Sequence, residues 1–160
     1  MLVSHRKRFI YTKTMKTAGT SVEAYFEPWC VPEGTWTLAH YRPESVTEAG
    51  IVGYRGPDPG GCRWFNHMPA TSIRDGVGES VWDAYFKFCV IRNPFDRMVS
   101  AFHFLERESP ASVAAGERAA GDGEDREGIV RRCRAWVANG GTLPDRATYV
   151  VDGRLCVDYA

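Results

Sequence analysis

Apolar and polar positions along the chain alternate in short blocks that read in turn as strand, tight loop and helix. Arg8-Phe9-Ile10-Tyr11-Thr12 is a β-prone run ending at Lys13. Small residues follow in Met15-Lys16-Thr17-Ala18-Gly19-Thr20-Ser21, and Val22-Glu23-Ala24-Tyr25-Phe26 then predicts a helix that stops before Pro28. From Val31 to Gly61 the chain is rich in Gly, Pro and Trp without a sustained period, so irregular chain is expected there, with one short helix around Pro43 to Ala49. Thr71 is placed to cap a short helix through Ile73 and Arg74. Tyr85-Phe86-Lys87-Phe88-Cys89-Val90-Ile91 is apolar nearly throughout and predicts a central strand of a parallel sheet.

That strand runs into Arg92-Asn93-Pro94, where an Asn cap and a Pro at the first helical position mark a helix start. Phe95, Met98, Val99, Phe102 and Leu105 recur at helical spacing and carry the helix to about Glu108. Ser109 to Gly128 is small, polar and charged and reads as a surface loop. Ile129, Val130, Cys133, Trp136 and Val137 mark another amphipathic helix, closed by Asn139-Gly140-Gly141. Tyr149-Val150-Val151, a two-residue Asp152-Gly153 turn and Leu155-Cys156-Val157 predict a β-hairpin. No internal repeat is visible. The expected fold is one α/β domain over residues 1–160: a parallel sheet with helices on both faces, a ligand cleft at the strand C-terminal ends, and a small C-terminal hairpin.

Composition narrows the function classes. At 160 residues with 44% hydrophobic and 25% charged positions, the chain has ordinary globular usage and room for one core. Twenty basic and twenty acidic residues give a formal net charge of zero, which argues against a broad nucleic-acid or membrane-surface footprint. The five cysteines (Cys30, Cys62, Cys89, Cys133 and Cys156) are scattered with no CxxC, which suggests neither a disulfide framework nor a zinc site and fits a reducing compartment. Buried thiols are expected at Cys89 and Cys133. No signal peptide or membrane span is read, so the expected location is cytoplasmic.

Two segments have the chemistry of phosphate sites. A strand feeding a tight loop that opens a helix directs backbone N–H groups and the helix dipole at an anion. In Lys16 to Ser21, Gly19 admits close backbone approach, Thr17, Thr20 and Ser21 add hydroxyls, and Lys16 adds charge. It is not a Walker A motif, because GxxxxGK[ST] is absent and the lysine precedes the glycine. A plain Gly/Thr turn with a solvated lysine is the bland alternative. In the second segment Arg92 follows the best strand and Ser100 lies on the next helix, away from its apolar stripe; a guanidinium and a hydroxyl suit a phosphate monoester. Here the bland alternative is an Arg92–Asp96 pair and an exposed Ser100.

Lys16-Thr17-Ala18-Gly19-Thr20-Ser21 after a strand, with Val90-Ile91-Arg92-Asn93-Pro94-Phe95-Asp96-Arg97-Met98-Val99-Ser100-Ala101-Phe102 further on, resembles the two signature segments of sulfotransferases that use 3′-phosphoadenosine 5′-phosphosulfate (PAPS). The similarity is greatest to the group containing heparan sulfate 2-O- and chondroitin sulfotransferases and their bacterial relatives. Asn66-His67-Met68-Pro69-Ala70-Thr71 is similar to that family's histidine-bearing stretch, and the terminal hairpin also has a family look. The resemblance implies a P-loop-like three-layer fold and places the 5′-phosphosulfate at Lys16, Thr17, Ala18, Gly19, Thr20 and Ser21. It places the 3′-phosphate at Arg92 and Ser100. Lys16 would stabilise the leaving group, His67 would be general base for a hydroxyl-bearing carbohydrate or small-molecule acceptor, PAP would be the product, and no metal would be needed. His103 is the rival base, and His40 stays open.

Around that site, Trp36 and Trp64 are taken as packing residues first and acceptor-pocket linings second. Arg131, Arg132 and Arg134 are taken as a solvated face. Met15 stands where relatives often have proline, and the chain stops soon after the hairpin where relatives continue. The latter leaves room for a short form, a fragment, or a homo-oligomer in which a second subunit completes the site. Two other classes compete: a catalytically silent nucleotide-binding or interaction module, and a P-loop-like kinase.

Overall fold

Leu2–Ser4 and Phe9–Tyr11 form strands β1 and β2, antiparallel with Val3 opposite Ile10. Only four residues, His5 to Arg8, join them, and so short a link permits only the antiparallel arrangement. Ser45–Thr47 (β3) and Gly50–Val52 (β4) make a second hairpin, and β4 pairs antiparallel with the free edge of β1. Phe86–Phe88 (β5) pairs parallel with β2, completing the order β3-β4-β1-β2-β5. The computed structural model describes residues 1–107, 126–141 and 146–158. The chain divides into one unit of Met1–Ile91 with Asp145–Ala160 and another of Arg92–Pro144.

The sheet is therefore mixed and mostly antiparallel, which corrects the parallel sheet expected from sequence. Only β2 and β5, separated by enough chain for a crossover, run parallel. The run Tyr85 to Ile91 is also not central. Its regular part is Phe86–Phe88 at the edge of the sheet, with Phe86 half-exposed, because β1 and β4 occupy the other side of β2. An apolar run reports burial but cannot say which neighbour supplies it. Asp158 covers this edge: its carboxylate accepts from the Lys87 N–H at 2.7 Å and its own N–H donates to the Lys87 carbonyl at 2.7 Å. The short helix expected over Pro43 to Ala49 is strand β3 and its turn.

Alternate residues of the central strands enter two cores. Val3, Ile10 and Ile51 face Trp64, Met68, Ala70, Ile73 and Trp82, which come from the loop before α2 (Ala70–Val77), α2 itself and α3 (Glu79–Ala84). Leu2, Tyr11 and Val52 face Cys30 and the Val22, Phe26 and Trp29 side chains of α1 (Gly19–Phe26) and the 3-10 turn Glu27–Trp29. Helices thus cover both faces of the sheet in this unit, and β1, β2 and β4 are buried throughout. Strands covered on both sides show no alternation, which is why the sequence pattern does not mark β1. The hairpin of β6 (Val150–Val151) and β7 (Arg154–Leu155) turns through Asp152 and Gly153 at φ 51° and 77°, the left-handed pair that a two-residue turn requires.

The second unit contains α4 (Pro94–Arg107) and α5 (Arg126–Ala138). Asn93 caps α4 as expected, its Oδ1 accepting from the Phe95 N–H at 2.9 Å and the Asp96 N–H at 3.4 Å. Phe102 packs on Trp136 with ring centroids 6.1 Å apart, and Arg132 pairs with Glu106 at 2.8 Å. Of the loop expected over Ser109 to Gly128, residues 109–125 lie outside the described residues, and Arg126 to Gly128 open α5.

Candidate functional site

The strand–loop–helix segment expected at Lys16 to Ser21 is present. Beyond β2 the Thr12 N–H still bonds the Phe88 carbonyl at 3.0 Å, and the Thr14 hydroxyl donates to the Val90 carbonyl at 2.5 Å, so the loop leaves the sheet along the extension of β5. Lys16 and Ala18 take left-handed φ values of 58° and 59°, turning the chain tightly into α1. Alternation of left- and right-handed residues turns successive N–H groups to one side, the geometry of an anion nest. Ala18 is the N-cap and has no side-chain acceptor, so the first N–H groups of α1 gain no side-chain cap. The Ser21 and Val22 N–H groups bond the Ala18 carbonyl.

The hydroxyls of the loop differ in placement. Thr17 is buried, 2.9 Å from the Thr14 hydroxyl and 3.2 Å from the Thr14 carbonyl, so its side chain holds the loop shut. Thr20 is partly buried and Ser21 exposed, and Lys16 is partly buried. Gly19 has a requirement the sequence does not announce: a Cβ there would stand 2.7 Å from Lys13 Cε, because the Lys13 side chain passes directly beneath the helix start.

Lys13 leads to a buried ionic cluster that sequence reasoning missed. Its Nζ pairs with Glu23 at 2.7 Å, and Glu23, fully buried, also accepts from the N-terminal ammonium at 2.9 Å and Arg55 at 2.8 Å. Glu27, one turn on, takes Arg42 at 2.6 Å, Arg55 at 2.8 Å and the Trp36 indole N–H at 3.1 Å. Burial pushes the Glu23 carboxyl upward, but the ammonium, Lys13 and Arg42 outweigh it and hold the group well below the usual carboxylate range. A signal did exist: Glu23 and Glu27 fall four apart in the otherwise apolar run from Val22 to Trp29.

His67 joins the same junction. Its Nδ1 lies 3.0 Å from the Lys13 carbonyl oxygen. A carbonyl only accepts, so Nδ1 carries the proton and the lone pair resides on Nε2. Burial, with Lys13 and the N-terminal ammonium, pushes the imidazole down to about 4, so it is neutral near pH 7. The His67 backbone is left-handed at φ 56°. Lys16, Ala18 and His67 thus share a conformation that costs non-glycine residues about 1–3 kcal/mol each and persists where the surroundings enforce it.

The structure therefore brings Lys16 to Ser21 and His67 to one junction. Arg92 is exposed and immediately precedes the α4 cap in the second unit, and Ser100 is partly buried on α4. His103 is also on α4, and His40 is exposed, its carbonyl accepting from Arg55. Trp64 is core, as its packing reading expects. Trp36 borders a cavity of about 480 Å³ with Arg6, Lys7 and Trp29. Arg6 and Lys7 belong to the β1–β2 turn, at the end of β2 opposite the Lys16 loop, so this cavity does not line that loop. Cys89 is buried and Cys133 partly so, and Arg131 and Arg134 are exposed while Arg132 pairs with Glu106. Among the described residues no helix is long and apolar enough to cross a membrane, and no group of three or more His, Cys, Asp and Glu is placed to hold a metal.

The described residues thus form a mixed α/β unit with a strand–loop–helix junction beside a neutral histidine. The model of the Sulfotransferase family matches residues 1–134, and the chain belongs to that family. An uncharacterized protein of Archaeoglobus fulgidus is 42% identical over 40 residues, a quarter of this chain and a third of the relative's length. No solved structure gives a significant match.

Proposed function

We propose that the chain binds PAPS and transfers its sulfonate to an acceptor hydroxyl, of a carbohydrate or a small molecule, by in-line displacement at sulfur. The observation that carries this reading is the hydrogen bond from His67 Nδ1 to the Lys13 carbonyl at 3.0 Å, which ties a neutral imidazole to the loop bearing Lys16. The N–H groups of residues 17–20 receive the 5′-phosphosulfate, with the α1 dipole favouring the anion. Arg92 and Ser100 receive the 3′-phosphate. The acceptor oxygen attacks sulfur as its proton passes to His67 Nε2. The new O–S bond forms as the bond from sulfur to the bridging oxygen breaks, and that oxygen leaves on the 5′-phosphate of PAP with the electron pair. Lys16 stabilises the charge developing there, where a fixed cation is most effective.

Calorimetric titration of PAP into the wild type, Lys16→Ala and Arg92→Ala tests the donor site. The expected outcome is micromolar binding by the wild type and at least about tenfold weaker binding by each variant, or about 1.4 kcal/mol. Absence of binding to folded wild-type protein would overturn the reading.

A further inference from the structure

Lys13 and Glu23 stand outside the chemical steps above, yet they are the groups through which the loop and His67 are joined. Lys13 is buried, its ammonium 2.7 Å from Glu23 on α1, while its own carbonyl holds His67 Nδ1 at 3.0 Å. The aliphatic part of Lys13 fills the space beneath Gly19. One residue therefore touches the helix start, the buried carboxylate and the imidazole.

We propose that Lys13, anchored by Glu23, is the positioning residue of the site, locking His67 in the tautomer whose Nε2 accepts the acceptor proton. The proposal rests on the reading of His67 as general base. A carbonyl partner fixes the tautomer without adding charge, whereas a carboxylate partner would make the ring more basic and hold a proton on both nitrogens. The charged groups facing the ring are Lys13 and the N-terminal ammonium, which oppose its protonation, and Glu23, which favours it. Glu23 is shared among Lys13, Arg55 and the ammonium, and burial, reinforced by the lysine charge, keeps the imidazole unprotonated and able to act.

The test is ¹⁵N NMR of histidine-labelled protein, which reports tautomer and titration midpoint together, on wild type and Lys13→Met. Methionine keeps the backbone carbonyl and most of the volume under Gly19, and Glu23 retains Arg55 and the ammonium. The expected result is a protonated Nδ1 in the wild type and, in Lys13→Met, a His67 midpoint raised from about 4 towards the ordinary 6.5 without reaching it, because burial remains. A purely structural lysine would lower stability and leave the midpoint in place, and that outcome overturns the proposal. So does an Nε2-protonated tautomer in the wild type, a result that needs no variant to fold. The base reading is tested separately by hydrolysis of PAPS, with water as acceptor, in His67→Gln. Wild-type hydrolysis there, with the NMR results as expected, would remove His67 as base while leaving the Lys13–His67 linkage intact.

Discussion

At Gly19 two effects of opposite sign compete. Alanine is favoured over glycine inside a helix by up to about 1 kcal/mol, so Gly19→Ala would stabilise an unobstructed helix start. Here the added Cβ would meet Lys13 Cε at 2.7 Å and Cγ at 2.9 Å, and Lys13 is held by its ion pair and cannot swing aside without uncovering buried Glu23. Overpacking of this kind costs roughly 1–3 kcal/mol and should win. Urea unfolding of Gly19→Ala is expected to show a lower midpoint with an unchanged slope; a raised midpoint would mean that Lys13 can move. Cys30 gives a second expectation at this scale. Burial, with Glu27 nearby, pushes its thiol up to about 12, so it should resist alkylation at pH 8 in folded protein and react once the protein is unfolded in urea.

At the scale of elements, the features set by local chemistry were legible in the sequence and the long-range ones were not. The loop entering α1, the Asn93 cap of α4, the Gly-terminated α5 and the Asp152-Gly153 turn each depend on a few adjacent residues, and each is present. Asn93→Ala should therefore cost about 1 kcal/mol and lower the helical signal of the unit holding α4, as read by circular dichroism during thermal unfolding. What the sequence concealed depends on partners far along the chain. Leu2–Ser4 is a strand because β4 and β2 flank it, and Phe86–Phe88 is an edge because β1 takes the other side of β2. The candidate site divides in the same way. Lys16 to Ser21 could be picked out by residue type and context, and His67 by the family resemblance of the stretch around it. Lys13, Arg42 and Arg55 could not, since nothing local marks a cation that will be buried against Glu23 and Glu27. Thr17 is by residue type a ligand hydroxyl, and its side chain is engaged by Thr14 in the fold.

For the whole molecule, the buried ionic cluster and His67 make stability depend on acid in a defined order. His67 ordinarily titrates near 6.5 and is pushed down to about 4 in the fold. Between those values the unfolded chain binds a proton that the folded chain refuses, so the His67 contribution is complete above pH 6.5 and is lost as pH falls towards 4. Glu23, held below its ordinary 4.5, is already ionised in both states through most of that range. Its contribution is lost only as pH falls below about 4.5, when the unfolded carboxylate takes up a proton first. The N-terminal ammonium, whose pKa burial lowers from its ordinary 8.0, adds a loss of the same sign that begins near pH 8. Unfolding free energy measured by urea should thus decline from pH 8, with His67 adding a limb between 6.5 and 4 of less than about 1.4 kcal/mol per pH unit, the limit for one proton, and then steepen below 4.5. His67→Gln should remove the His67 limb between 6.5 and 4 and keep the steep one, because glutamine does not titrate and Glu23 retains its partners. A decline between 6.5 and 4 left unchanged by this substitution would show that His67 is not the neutral imidazole which the Lys13 carbonyl and its surroundings impose.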